Sequence, residues 1–149
     1  AADFELQPFF KLSDRNIEMS IETESILPNH QLGYSRGIKM IFDHHEELEI
    51  AGHIGLKDGK LEDGVDLQTK QALDNINEVL SAAGFGAKDI ITVNVFITDM
   101  ADYDNIVSEY TKWLLEKGVK NLPSRTTVGV RELPRSARVE INGFALKRK

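Results

Sequence analysis

Two stretches of the chain repeat apolar residues at the three- and four-residue spacing of an amphipathic helix. The first begins at Asp66, whose carboxylate is suited to cap a helix N-terminus, and it ends at Gly84. The second runs from about residue 101 to residue 117 and ends before Gly118. Each stretch has one apolar face, so each helix is expected to pack against another layer of the protein. The apolar face of the second helix contains Tyr103, Ile106, Val107, Tyr110, Trp113 and Leu114.

Other stretches alternate apolar and polar residues, which is the pattern of strands with one buried face. In the clearest of them, the alternate residues from Ile91 to Ile97 share a face. The polar run His44-His45-Glu46-Glu47 predicts a hairpin turn, and the glycine-rich residues 55–64 predict an exposed loop. The predicted strands cover residues 16–23, 37–43, 48–54, 90–98, 124–131 and 138–146.

This order of elements predicts an α+β domain, a mixed β-sheet with two helices packed on one of its faces. We expect a single domain over residues 28–149. Residues 1–27 are expected to form an N-terminal extension that packs on this domain, because they contain several large apolar side chains. If the second face of the sheet also contains Ile and Val, it must be covered, and self-association is one way to cover it.

Composition narrows the classes of function. The chain has 149 residues, of which 41% are hydrophobic and 28% charged, as in an ordinary globular domain. Its net charge of −6 works against the attraction to phosphates on which nucleic-acid binding depends. There are no cysteines for disulfide or thiolate chemistry. No apolar run approaches the roughly 20 residues of a membrane span. The first residues lack a secretory pattern, so we expect a cytoplasmic protein, or an organellar one if a leader was removed.

Familiar catalytic motifs are missing from the sequence, which has no phosphate-binding loop, no nucleophile elbow and no paired metal-ligand set. His44 and His45 beside two glutamates allow a metal-site interpretation. Adjacent residues in a strand or tight turn point apart, however, so a solvated hairpin tip is the favoured interpretation. We therefore expect no metal site.

Arg125 is a candidate for binding an anion. Alternation places Arg125, Thr127 and Gly129 on one face of a predicted strand. A guanidinium beside hydroxyl groups is suited to bind a carboxylate through two hydrogen bonds. A structural ion pair is the alternative interpretation of this arginine.

Glu140 is a candidate for proton transfer. It places one carboxylate between Val139 and Ile141 in an otherwise apolar strand. If this strand is central, burial should raise the pKa of Glu140 toward the range useful for acid–base catalysis. An outward-facing glutamate and an ion pair with Arg138 are the alternatives.

Several short motifs, in a fixed order, resemble those of the Rid (reactive intermediate deaminase) or YjgF family, also described as the endoribonuclease L-PSP family. The most specific are Leu122-Pro123-Ser124-Arg125-Thr126 and Val139-Glu140-Ile141, which place the arginine and the glutamate at the family's spacing. The resemblance covers residues 34–148. Further motifs lie at residues 33–35, 50–54, 71–76, 82–84, 95–100 and 133–135.

The resemblance implies a chorismate-mutase-like fold and a homotrimer that hydrolyses 2-imino acids of the 2-aminoacrylate class to 2-keto acids and ammonia. Arg125 would clamp the substrate carboxylate, with the backbone N–H groups of Gly52 and Thr127 as further donors. Glu140 would activate the attacking water, and Tyr34 would complete the wall of a pocket between adjacent subunits. The implied catalytic set is thus Arg125, Glu140 and Tyr34, without a cofactor.

The chain departs from the family pattern at four positions. Gly33 replaces a frequent proline, which is expected to loosen the turn before Tyr34. Ala51 and His53 replace a serine and a glutamine, and Val107 replaces a frequent asparagine. The histidine either titrates near neutral pH or fills space, and space filling is the favoured interpretation. These changes leave the two charged site residues in place, so they bear on the substrate range.

Two other functions are compatible with the resemblance. A non-catalytic trimer that binds small carboxylates needs Arg125 but does not need Glu140, so replacing the glutamate by glutamine separates it from the enzyme. An RNA-cleaving translation inhibitor, an activity also attributed to the family, needs a basic groove, and the acidic net charge counts against it.

Overall fold

A computed structural model describes residues 21–149 of the chain. Within this range the chain forms a six-stranded sheet, a two-stranded hairpin and two α-helices. The strands are β1 (Glu22–Asn29), β2 (Tyr34–Ile41), β3 (His45–His53), β4 (Leu56–Lys57), β5 (Lys60–Leu61), β6 (Ile90–Ile97), β7 (Ser124–Gly129) and β8 (Val139–Arg148). The helices are α1 (Val65–Ala83) and α2 (Tyr103–Glu116), and short 3₁₀ turns cover Ala87–Asp89, Met100–Asp102 and Pro134–Ser136.

The large sheet is mixed, with the strand order β1-β2-β3-β8-β6-β7. Neighbouring strands are antiparallel except for β6 and β7, which are parallel. β8 comes last along the chain but lies between β3 and β6, so its residues have a strand on each side. The structure therefore confirms the predicted α+β class. The strand that contains Glu140 is central, which is the condition on which the expected burial of this residue depends.

Both helices pack on the same face of the sheet, as predicted. We call this surface the helix face, and we call the opposite surface the outer face. The helix face receives alternate residues of β3, β6 and β8, which form one core with the apolar stripes of α1 and α2. Each large side chain in this core contributes about 1.5–3 kcal/mol through burial. Its fully buried members include Leu48, Ile50, Leu73, Ile76, Leu80, Ile97, Ile106 and Ile141.

The start of α1 differs from the prediction. The capping position is Gly64, at φ 86°, and Asp66 lies inside the first turn instead of capping it. An acidic side chain in the first turn still interacts favourably with the positive end of the helix dipole. The other end is as predicted, because Gly84 adopts the left-handed conformation that closes the helix, with its N–H directed at the carbonyls of Leu80 and Ser81.

A bulge in β6 corrects the prediction that Ile91 shares the buried face of its strand. The register with β8 shifts between Ile90 and Thr92, so one residue has no partner in the ladder. Ile90 is buried as a result, and the side chain of Ile91 is exposed, whereas Val93 and the later odd-numbered residues face the helices.

Two connections are shorter than the sequence predicts. β3 already begins at His45, so the hairpin between β2 and β3 turns at residues 42–44, and the glutamates after the histidines belong to the strand. The ring of His45 stacks on Phe42 at a centroid distance of 4.5 Å. The predicted loop at residues 55–64 contains the β4–β5 hairpin. Asp58 and Gly59 at its tip both have positive φ, as in the tight turns that favour hairpins.

The strand predicted at residues 16–23 lies mostly outside the described residues. The first described strand, β1, begins at Glu22 and pairs with β2. β1 spans the predicted boundary between residues 27 and 28, and the division of the chain there stays a prediction. Among residues 21–149, no helix combines the length and the apolar character needed to cross a membrane.

Candidate functional site

Glu140 lies on the outer face of the central strand β8. Its neighbours Val139 and Ile141 are fully buried on the helix face, so alternation directs the glutamate to the other side. The carboxylate is half-buried, and burial raises its pKa above the ordinary value for glutamate. The direction of this shift and its cause agree with the expectation for a glutamate in a central strand.

The ion pair considered for Glu140 is absent from the described part of the chain. Arg138 instead binds Asp102 through two hydrogen bonds, from Nη2 to Oδ1 at 2.6 Å and from Nε to Oδ2 at 3.1 Å. Residues 21–149 supply no cation within ion-pair distance of Glu140. The carboxylate is therefore not neutralised by a structural partner within this range.

Gly52 lies against Glu140 at a bulge in β3. The register between β3 and β8 shifts between Ile50 and His53. A Cβ atom built at Gly52 would lie 2.8 Å from both Cδ and Oε2 of the glutamate. A residue with a side chain at this position would thus displace the carboxylate, and the absence of one lets the backbone approach it. Bulges are frequent beside functional sites because they redirect the chain locally.

His53, next to Gly52, is buried at 8% exposure and holds two hydrogen-bond contacts. Its Nδ1 lies 2.7 Å from the backbone oxygen of Ala51, and its Nε2 lies 3.2 Å from Nε of Arg36. Burial lowers the pKa of His53 to about 4, and the nearby charge of Arg36 acts in the same direction. The imidazole is therefore neutral near pH 7, which supports the space-filling interpretation over titration there.

Arg125 lies on the edge strand β7 and is directed to the helix face, because it is in register with the buried Val93 of β6. Its Nη2 lies 3.1 Å from the hydroxyl of Tyr103, and its guanidinium lies 5.5 Å from the ring centre of Tyr110. Within residues 21–149 no carboxylate forms an ion pair with it. The structural ion pair considered for this arginine is thus not found there, and its charge remains exposed.

Thr127 and Tyr34 lie toward opposite edges of the sheet, on β7 and on β2. Thr127 follows on the same face of β7 as Arg125, in register with Val95, and its hydroxyl is buried. Tyr34 begins β2 and is half-exposed. The turn before it is closed by Asn29, which accepts the N–H of Leu32 on its side chain and the N–H of Gly33 on its backbone, both at 3.0 Å. These two bonds hold the turn before Tyr34, and its expected loosening by Gly33 stays a prediction.

Within a single chain, four of the predicted site residues fall into two separate groups. The first group is Glu140 with Gly52 on the outer face, and the second is Arg125 with Thr127 on the helix face of the edge strand. β7 and β8 are separated by β6, which places them about 10 Å apart across the sheet. A small substrate cannot contact both faces of a sheet, so a single chain does not bring Arg125 and Glu140 to one substrate.

Sequence reasoning did not assign site roles to Tyr103, Tyr110 or Arg36. The two tyrosines were predicted to be core residues, and their spacing of seven, two helical turns, is the signal that places them on one side of α2. No local pattern distinguishes Arg36, because its partners are on β3 and α1. Residues 21–149 contain no cluster of three or more His, Asp or Glu side chains suited to hold a metal ion.

The fold and these residues place the chain in a family. Residues 27–147 match the family model described as Endoribonuclease L-PSP, and the chain therefore belongs to this family, the Rid or YjgF family. It is 37% identical over 102 residues to a RutC family protein of Aquifex aeolicus, a match that covers 67% of this chain and 80% of the relative.

Two further relatives carry functional information in their names. A 2-iminobutanoate/2-iminopropanoate deaminase of Escherichia coli K12 is 32% identical over 92 residues, which are 62% of this chain and 71% of the relative. The crystal structure of E. coli TdcF with bound serine superposes with a TM-score of 0.69 at 28% identity, covering 76% of this chain and 87% of that one.

Proposed function

We propose that the protein is a hydrolase that converts reactive 2-imino acids and their enamine tautomers, of the 2-aminoacrylate class, to 2-keto acids and ammonia. The observation that carries this proposal is the half-buried Glu140, whose pKa is raised by burial, held against the bare backbone of Gly52. Relatives in the same family are named for this reaction. The exposed cation of Arg125 supplies the recognition that a 2-imino carboxylate requires.

We place the complete site between two copies of the chain in a homotrimer. The two groups of site residues lie on opposite faces of one sheet, so a neighbouring copy must bring its edge strand β7 to the outer face of β8. The outer face also contains apolar side chains that such packing would cover, among them Phe96, Val128 and Phe144. Arg125 and Thr127 of one copy then face Glu140, Gly52 and Tyr34 of the next.

The proposed chemistry balances with these groups alone. Arg125 holds the substrate carboxylate, and the N–H groups of Gly52 and Thr127 donate to the same oxygens. Glu140 removes a proton from a water molecule as the water oxygen bonds to the imine carbon, and the C=N bond becomes a C–N single bond. Glu140 returns this proton to the nitrogen, which gives a neutral carbinolamine. As the C=O bond of the ketone forms and the C–N bond breaks, Glu140 takes the proton of the carbinolamine hydroxyl and passes it to the departing nitrogen, which leaves as ammonia.

The barrier that the protein must lower is modest, because imines also hydrolyse in water. Positioning by the arginine and proton transfer by the glutamate are the two effects needed to lower it. Proton transfer contributes about 10²–10⁴-fold to the rate. A carboxylate with a raised pKa is better matched to a reaction at neutral pH than an ordinary glutamate, since it accepts and returns the proton more readily.

A coupled assay tests the proposal. A pyridoxal-dependent dehydratase generates 2-aminoacrylate from serine, and the release of pyruvate is followed with and without the protein. We expect faster release with the wild type and no acceleration with Arg125→Ala or Glu140→Gln. Arg148→Ala and Glu116→Gln change exposed residues of the same types and should behave as the wild type.

Other outcomes would favour one of the two alternative functions, a carboxylate-binding module or an RNA-cleaving translation inhibitor. If the wild type binds pyruvate without accelerating its release, the protein is a carboxylate-binding module. If RNA is cleaved in a way that depends on Glu140 while imine hydrolysis is not accelerated, the translation-inhibitor alternative replaces the proposal. Full turnover by Glu140→Gln would contradict the role given to the glutamate.

A further inference from the structure

The peptide bond between Ala51 and Gly52 carries two groups that point in opposite directions. Its carbonyl belongs to Ala51 and its N–H belongs to Gly52, and a trans peptide is planar. Any group that fixes the direction of the Ala51 carbonyl therefore fixes the direction of the Gly52 N–H. Nδ1 of His53 lies 2.7 Å from this carbonyl oxygen, so the side chain two positions along the chain closes the bulge.

The hydrogen-bond network determines which nitrogen of His53 carries the proton. Nε of Arg36 lies 3.2 Å from Nε2 of the histidine, and a guanidinium nitrogen can only donate. Nε2 must therefore accept, and the proton of the neutral ring is on Nδ1, where it is donated to Ala51. Arg36 is itself anchored on α1, by Glu78 Oε2 at 3.0 Å and by the backbone oxygen of Asn75 at 2.9 Å.

This peptide lies where the register of the sheet is interrupted. The pairing of β2 with β3 ends at Gly37 and Ile50, before the bulge is reached. The register between β3 and β8 breaks between Ile50 and His53, which includes Gly52. Side chains thus hold the segment that leads past Glu140 at the place where the register of the sheet is interrupted.

We propose that His53 and Arg36 are positioning residues that aim the N–H of Gly52 at the substrate carboxylate. The inference rests on the proposed function, in which this N–H binds the substrate beside Glu140. Neither side chain touches the substrate: the histidine sets the peptide plane, and the arginine holds the histidine in its donor tautomer. Hydrogen bonding at the carbonyl also polarises the peptide, which makes its N–H a better donor.

Kinetics of substituted proteins test this inference. His53→Phe removes the donor while filling the space, and we expect KM in the coupled assay to rise about tenfold, since a misdirected N–H loses most of one hydrogen bond to a charged group. kcat should change much less, because the bond is made in both the ground state and the transition state. His53→Gln keeps an N–H donor and should recover part of the loss. The dissociation constant for pyruvate, measured by calorimetry, should follow KM.

Thr69→Val is the matched control. Thr69 is also buried and donates from its side chain to a backbone carbonyl at 2.7 Å, but it does so inside α1 and away from Gly52. Thr69→Val should lower stability because it also removes a buried hydrogen bond to the backbone, and it should leave KM unchanged. A KM for His53→Phe equal to that of the wild type, in a protein shown to be folded, would overturn the inference.

A second measurement does not depend on turnover. In the ¹⁵N NMR spectrum of the wild type near neutral pH, Nδ1 of His53 should have the shift of a protonated nitrogen and Nε2 that of an acceptor. Arg36→Ala should mix the two tautomers. The opposite tautomer in the wild type would refute the positioning geometry even if the enzyme is active. A wild type that neither accelerates hydrolysis nor binds pyruvate would instead refute the proposed function, and the NMR result would still decide whether His53 holds the peptide.

Discussion

The buried histidine makes the stability of the protein depend on pH between about 4 and 6.5. The pKa of His53 is about 4 in the folded chain and 6.5 in the unfolded one. Burial is the main cause, Arg36 disfavours the charged ring further, and the hydrogen bond to Ala51 and the charge of Glu78 partly oppose this shift. Between these two pH values the unfolded chain binds more protons than the folded chain, so acid favours unfolding.

The sign and size of the effect follow from linkage. The contribution of the neutral histidine is fully present above pH 6.5 and is lost as the pH falls from 6.5 through 4. The free energy of unfolding should fall by about 2 kcal/mol between pH 7 and pH 5, and by about 3 kcal/mol by pH 4, from this group alone. Other groups also titrate as the solution becomes acidic, so the effect has to be isolated by comparison.

Urea unfolding of the wild type and of His53→Gln at pH 7 and pH 5 isolates the contribution of His53 to the pH dependence of stability. Glutamine does not titrate, and the remaining carboxylates and histidines are common to both proteins. The difference in the free energy of unfolding between the two proteins should shrink by about 2 kcal/mol from pH 7 to pH 5. An unchanged difference would show that His53 is not buried in its neutral form, and would remove the basis for its donor tautomer.

Two further substitutions address the neighbourhood of each charged residue. Gly52→Ala would place a methyl group 2.8 Å from the Glu140 carboxylate, so turnover should fall about 10²-fold, whereas stability should change by less than about 1 kcal/mol because a flexible side-chain end can move. Gly86→Ala, where the nearest atom would be 3.9 Å away, is its control, and equal turnover for both would contradict the packing of Gly52 on Glu140. Tyr103→Phe removes the hydroxyl that lies 3.1 Å from Arg125 and should raise KM about two- to fivefold, whereas Tyr110→Phe, whose hydroxyl has no hydrogen-bond partner among residues 21–149, should leave it unchanged. Equal KM values for the two phenylalanine variants would remove Tyr103 from the set that orients the arginine.

Much of the fold could be predicted because it is recorded in local periodicity. The stripes of both helices, the closing Gly84 and the alternation around Arg125 each depend on residues within one element. The burial of Glu140 was predicted only on the condition that its strand is central, and the strand order, which meets this condition, depends on pairing that the strand's own residues do not show.

The predictions for Ile91 and His45 are wrong because the positions of these residues depend on how two strands pair. The bulge that exposes Ile91 exists because β6 and β8 differ by one residue over that stretch, which neither sequence segment shows by itself. His45 was assigned to a turn because its run is polar, but in the sheet it pairs with Arg148 at the basic end of β8. Asp66 satisfied the local rule for a cap, and the chain instead enters α1 through a glycine two positions earlier.

The division of the candidate site between two faces could not be read from the sequence. Alternation defines the two faces of β7 and of β8 separately, but it does not say which face of one continues which face of the other. That relation is set by the registers of both strands with β6, which places Arg125 beside Val93 and Glu140 beside Phe96. The network of Arg36 and His53 was hidden for the same reason, because it joins β2, β3 and α1.

Subunit complementation tests the central claim most directly. Arg125→Ala and Glu140→Gln are purified separately, each without activity in the coupled pyruvate assay, and are then mixed at equal concentration under conditions that exchange subunits. If each site joins Arg125 of one copy to Glu140 of the next, about a quarter of the sites in randomly mixed trimers contain both intact residues. The account predicts that about a quarter of the wild-type acceleration returns. A mixture whose subunits have exchanged and which stays as inactive as its components would contradict a hydrolytic site shared between copies.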